Sequence, residues 1–126
     1  MKLTSPFNHF LKFLQIKDES LLSYIGKIEF PNPIGLAAGL DKNYKTSINY
    51  LNFGFGFAVT GTILTNQNFG NPKPRLLRYL NNKSIVNSLG FPSEGLNTIK
   101  NKFSNLEIEK NRIFASISGL NIDDIY

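Results

Sequence analysis

Lys42 draws attention first, because the apolar run before it closes on Ala37, Ala38 and Gly39 and then passes through Leu40 and Asp41 straight to the lysine. Without Cβ bulk the backbone there can approach a flat ligand closely, Gly39 can take dihedrals closed to other residues, and Lys42 can supply a positive charge at the ligand's edge. A tight strand-to-helix turn with a solvated lysine accounts for the stretch better when it is read alone. It does not stand alone. Two further apolar runs, Phe57 to Thr62 and Arg112 to Ile117, carry small and hydroxyl-bearing residues at their ends, Gly61 and Thr62 in one, Ser116, Ser118 and Gly119 at the other. Between them lies Asn87-Ser88-Leu89-Gly90-Phe91, where an amide able to donate and accept sits close to a glycine and an aromatic ring, a combination that can clamp a small polar ring. Taken singly, Asn87 reads as a turn residue, and Lys73 and Arg75 read as solvated loop charges.

Composition narrows the chemistry. The 126 residues contain no cysteine, which excludes disulfides, thiolate metal sites and cysteine nucleophiles, and one histidine, His9, whose place near the N-terminus argues against a histidine metal cluster or a Ser-His-Asp triad. Reactivity has to come from a bound cofactor. The net charge of +5 suits anionic partners, yet the lysines and arginines are dispersed and no RNA-binding signature with interleaved aromatics occurs, which makes nucleic acid a minority reading. No segment reaches the roughly 18 continuous apolar residues of a membrane span, and the N-terminus lacks the apolar core of a signal peptide, so the protein is expected inside the cell.

The elements that must hold these residues follow from periodicity. Ser5-Pro6 opens a short amphipathic helix with Phe7, Phe10, Leu11 and Leu14 on one face. Asp18 is expected to cap a second, with Leu21, Leu22 and Ile25 aligned and Gly26 as its stop. The pair fits a helical hairpin packed on the core or a membrane-docking element, with Lys2, Lys12 and Lys17 compatible with either. Ile28 to Phe30 is a short extended piece, Pro31-Asn32-Pro33 a turn, and Ile34 to Ala38 a buried, central strand. Asn43 to Asn52 reads as a helix with Ile48 and Leu51 inward, and Phe57 to Thr62 as a second buried strand. Residues 65–83 form a long loop in which Arg75 to Leu80 can pair as a strand outside the main sheet. Ser93 or Glu94 opens a helix through Leu96, Ile99 and Phe103, and Arg112 to Ile117 is the third strand. This βαβαβ order predicts an α/β fold with a parallel sheet, and ligands of such sheets bind beyond the carboxyl ends of the strands.

Three ordered motifs, Asn32-Pro33-Ile34-Gly35-Leu36-Ala37-Ala38-Gly39-Leu40-Asp41-Lys42-Asn43, Gly70-Asn71-Pro72-Lys73-Pro74-Arg75 and Asn87-Ser88-Leu89-Gly90-Phe91, resemble dihydroorotate dehydrogenase, and the nearest branch is the quinone-linked class 2 type. The resemblance runs from about Tyr24 to Asn121. It implies the N-terminal portion of a (β/α)8 TIM barrel, with residues 1–26 as a helical extension that meets the membrane and admits the quinone, and residues 27–126 as the first three barrel strands. It also implies FMN as cofactor and oxidation of dihydroorotate to orotate in pyrimidine synthesis, at the cytoplasmic side of the membrane. Carried across by motif, Ala38, Gly39, Leu40, Asp41, Lys42, Thr62 and Ser116 would contact FMN, and Lys42 with Asn87, Ser88, Leu89, Gly90 and Phe91 would hold the substrate. Ser116 stands where class 2 enzymes normally offer asparagine, and Pro92-Ser93 where asparagines are common. A complete barrel takes about 250 residues, so the chain is expected to be a fragment without the family's catalytic serine or main phosphate-binding turns, and inactive by itself. Two other readings remain beside this one: another FMN-dependent pyrimidine oxidoreductase, and a basic nonenzymatic domain that binds anions or nucleic acid.

Overall fold

The computed structural model describes Leu11, residues 15–104 and residues 110–124. The first predicted helix lies outside these residues apart from Leu11, which is buried. Where the second helix was expected, the chain makes one 3-10 turn, Glu19–Leu21, and then a strand, β1 (Ser23–Ile25). Asp18 does cap that turn, its carboxylate accepting from the Ser20 N–H at 2.9 Å. β1 pairs antiparallel with β2 (Ile28–Phe30), and Tyr24 bonds across the ribbon to Glu29 at 3.0 Å. Gly26 therefore serves the turn of a hairpin rather than the end of a helix; its φ of +61° at the first of two connecting residues is what a two-residue hairpin turn demands. Three apolar residues at 21, 22 and 25 are compatible with a helical stripe, and strand pairing with Ile28 to Phe30 overrides it.

The main sheet has the order β3 (Gly35–Leu36), β4 (Phe57–Ile63), β7 (Ile113–Ile117), all parallel as the alternation of strand and helix requires. β3 is shorter than the predicted Ile34 to Ala38 and lies at an edge of this sheet, with β4 in the middle. Gly35 is required there: a Cβ would fall 2.2 Å from the Phe57 ring. Past Leu36 the chain leaves the ladder and bends into the turn that carries Lys42.

Helix α1 (Ser47–Asn52) starts later than the predicted Asn43, because Asp41 intercepts the N–H groups that an earlier start would use. Its last carbonyls, Leu51 and Asn52, accept from the Gln15 amide at 3.1 and 2.9 Å. Helix α2 (Leu96–Ser104) packs Ile99 inward, as its spacing predicts. The core between helices and sheet comprises Leu36, Tyr44, Leu51, Ala58, Ile63, Ile99 and Ile113. On the other face of β4 the rings of Phe57 and Phe114 meet edge-on at 6.0 Å, and Phe30 from β2 packs on Phe57 at 5.4 Å. A separate ribbon, β5 (Leu76–Tyr79) against β6 (Ser84–Asn87), rises from the β4–α2 connection. This matches the strand expected at Arg75 to Leu80 and adds its partner.

Candidate functional site

β4 builds the turn around Lys42. Gly39 donates its N–H to the Gly61 carbonyl at 3.0 Å, and Gly61 donates in return to the Asp41 carbonyl at 2.9 Å. The Thr60 hydroxyl adds a bond to the same carbonyl at 2.8 Å and accepts from the Tyr44 N–H at 3.1 Å. Gly61 is the only residue type that fits, since its φ is +112° and a Cβ would lie 2.5 Å from the Ser116 carbonyl oxygen. A glycine near the end of β4 thus lets the turn after β3 and the end of β7 lie close against that strand.

Asp41 locks the turn from within. Its carboxylate accepts from the Lys45 N–H at 2.9 Å, the Thr46 N–H at 2.8 Å, and both the N–H and hydroxyl of Ser47 at 2.6 Å. Burial alone would raise its pKa, and those four donors outweigh burial, so the carboxyl is held below the usual range. The side chain, read from the sequence as part of a cofactor wall, is spent on its own loop and on the first turn of α1. Sequence reasoning had no signal for this, because three of the four donors are backbone groups.

The second wall is a pair of loops braced against each other. Asn71 donates its N–H to the Leu89 carbonyl at 3.0 Å and its side-chain amide to the Ser88 carbonyl at 2.9 Å. Asn68 donates to the Gly90 carbonyl at 2.9 Å and exchanges two backbone bonds with Ser93. Arg75 bonds the Phe69 and Asn71 carbonyls at 2.6 and 3.1 Å, so it is a clamp and not a solvated charge. Gly90 has φ +70° and a Cβ there would sit 2.6 Å from the Asn71 side chain, which explains the glycine between Leu89 and Phe91.

Together these loops bring Lys42, Thr62 and residues 87–92 around one cleft of about 300 Å³ at the carboxyl ends of β3 and β4. Seven of the residues picked from sequence, Lys42, Thr62, Asn87, Ser88, Leu89, Gly90 and Phe91, line it. Ser116 sits one layer away, its hydroxyl 3.0 Å from that of Thr62. Ala38 and Gly39 are exposed beside the cleft, and a Cβ added to Gly39 would meet only the Lys42 ammonium, at 3.9 Å. Leu40 is 66% exposed and does not line the cleft. Among the described residues there is no cluster of His, Cys, Asp or Glu able to hold a metal, and no helix long and apolar enough to cross a membrane.

A parallel sheet with helices between its strands, and with small, hydroxyl and cationic groups gathered at the strand ends, defines an α/β domain, a class whose ligands bind beyond those ends. The chain belongs to the dihydroorotate dehydrogenase family: the family model of that description matches residues 20–126. It is 37% identical over 103 residues to a dihydroorotate dehydrogenase (quinone) of Novosphingobium aromaticivorans, covering 82% of this chain and 30% of the relative. It is 43% identical over 79 residues to the protein of the same description from Brucella ovis, covering 63% of this chain and 22% of that one. The fold superposes on a DHODH from Eimeria tenella in complex with ferulenol with a TM-score of 0.76 and 28% identity, covering 99% of this chain and 39% of the other. The chain therefore spans less than a third of the length of the two bacterial relatives. Membership in an oxidoreductase family follows.

Proposed function

We propose that this chain forms the N-terminal portion of a quinone-dependent dihydroorotate dehydrogenase, a (β/α)8 barrel that binds FMN and oxidises dihydroorotate to orotate in pyrimidine synthesis. The observation that carries this reading is the convergence of Lys42, Thr62 and residues 87–92 on one cleft at the strand ends. The residues present suit a flat ring system: Ala38 and Gly39 offer an open floor, and Thr62 and Ser116 offer hydroxyls at the adjoining strand ends. Ala38, Gly39, Leu40, Lys42, Thr62 and Ser116 would hold the cofactor, with Asp41 acting through the turn it locks. FMN, when bound, supplies the hydride acceptor.

The chain's own residues bind and orient. The Lys42 ammonium, near Gly39 and in the same cleft as Thr62, pairs with the substrate carboxylate, a charge-assisted contact stronger than a neutral one. Asn87 offers donor and acceptor to the amide edges of the pyrimidine ring. Leu89, Gly90 and Phe91 close against the ring and exclude water. Proton abstraction falls to a group outside this chain: Ser116 bonds Thr62, and Ser118 makes a 3.4 Å contact with the Gly119 carbonyl, so neither has a base to activate it among the described residues. In the same reading residues 1–26 meet the membrane and admit the quinone, placing the protein peripherally on the cytoplasmic side.

The test is anaerobic reduction of the flavin by dihydroorotate in the full-length polypeptide that carries this sequence. Lys42→Ala is expected to lower the second-order rate by about 10- to 150-fold, the equivalent of roughly 1.5–3 kcal/mol for a hydrogen bond to a charged group. Unchanged reduction in the variant would remove Lys42 from the site, and a preparation without flavin would remove the assignment.

A further inference from the structure

We infer that Glu94 is a positioning residue that fixes the two walls of the cleft, the Lys42 turn and the 87–92 loop, against each other through Asn43, Lys45 and Lys102. The inference rests on the reading of the cleft as a substrate site and adds a residue to it. Glu94 stands two residues beyond Pro92, the last residue of one wall, and Asn43 adjoins Lys42 in the other. The Glu94 N–H donates to the Asn43 side-chain oxygen at 3.0 Å. Its carboxylate takes the Lys45 ammonium on one oxygen at 2.8 Å and the Lys102 ammonium on the other. Lys102 also donates to the Asn43 main-chain carbonyl at 3.2 Å, so one ammonium from α2 holds an acceptor next to each wall.

An isolated surface ion pair would carry no such weight. Here the Glu94 and Lys102 side chains are only 28% and 30% exposed, whereas Lys45, at 62%, contributes less. The bonds close loops of 51 and 59 residues without any strand pairing between the segments they join. The Lys102 and Lys45 ammoniums keep the Glu94 carboxyl below its usual range, so the network is intact at neutral pH. None of these side chains lines the cleft. Their effect on a ligand has to pass through the position of Lys42.

The experiment compares the full-length polypeptide with its Glu94→Gln and Lys102→Met variants, using hydrogen–deuterium exchange together with orotate affinity by calorimetry. Both variants should exchange faster in residues 42–47, leave β4 unchanged, and bind orotate about three- to fivefold more weakly, with the double variant no worse than either single one. Lys100→Met, on the same helix and exposed, should behave as wild type. Unchanged exchange in residues 42–47 overturns the inference, as does altered exchange with unaltered orotate affinity. If the wild type binds no orotate, the substrate reading falls, and the exchange data still decide whether Glu94 joins the two walls. Loss of protection in β4 in one variant marks unfolding of that variant, and the other then decides.

Discussion

Replacing Asp41 by asparagine probes how the Lys42 turn is held. The carboxylate has two oxygens for four donors, and all four lie between 2.6 and 2.9 Å. An amide keeps one acceptor and puts an NH2 group where the other oxygen was, so at least one N–H among Lys45, Thr46 and Ser47 faces a donor and the surviving bonds lose their charge. With roughly 1.5–3 kcal/mol for each hydrogen bond to a charged group, the loss is about 2–4 kcal/mol, or roughly a 30- to 700-fold rise in the opening constant of the turn. Amide exchange of Lys45, Thr46 and Ser47 in the full-length polypeptide reads that constant directly. The carboxyl's pKa is depressed on folding, so its stabilisation is complete above the ordinary 3.8 and is lost as pH falls through the lower folded-state value. Acid titration of the same amides should therefore show protection falling in the wild type as pH drops from about 3.8 through that lower value, and a flat response in Asp41→Asn. A rise of less than tenfold at neutral pH would refute the reasoning, because it would mean the carboxylate is not what orders the turn.

Two further substitutions have definite expected outcomes. Gly90→Ala should be destabilising by about 1–3 kcal/mol and should weaken orotate binding, since φ is +70° and the new Cβ would meet Asn71 at 2.6 Å; calorimetric melting and orotate titration check both effects. Tyr44→Phe should raise the unfolding midpoint by the equivalent of about 1 kcal/mol, because the Tyr44 hydroxyl is buried with no hydrogen-bond partner among the described residues while its ring packs on Phe103 at 5.0 Å.

The parts of the site legible in the sequence are those where one residue type answers one local demand. Gly35, Gly39 and Gly61 mark places where backbone or ring leaves no room or where φ is positive, and Lys42 follows such a place directly. The parallel strands were legible because apolar runs alternate with helical periodicity. What the sequence concealed depends on contacts between distant segments. Asp41 and Arg75 look like ligand or solvent charges, and their partners, the amides of residues 45–47 and the carbonyls of Phe69 and Asn71, have no signature in residue type. Asn68, one of many asparagines, braces the 87–92 loop only because the two loops meet in space. The helix expected at Asp18 to Gly26 failed for the same reason: a hairpin partner at Ile28 to Phe30 decides between periods that three apolar residues cannot distinguish.

The most direct measurement is a crystal structure of the full-length polypeptide with orotate bound. The account predicts the orotate carboxylate at about 3 Å from the Lys42 ammonium, with the Asn87 amide on the ring and Leu89 to Phe91 against it. Orotate bound elsewhere, or Lys42 turned from the ligand toward solvent, would contradict it.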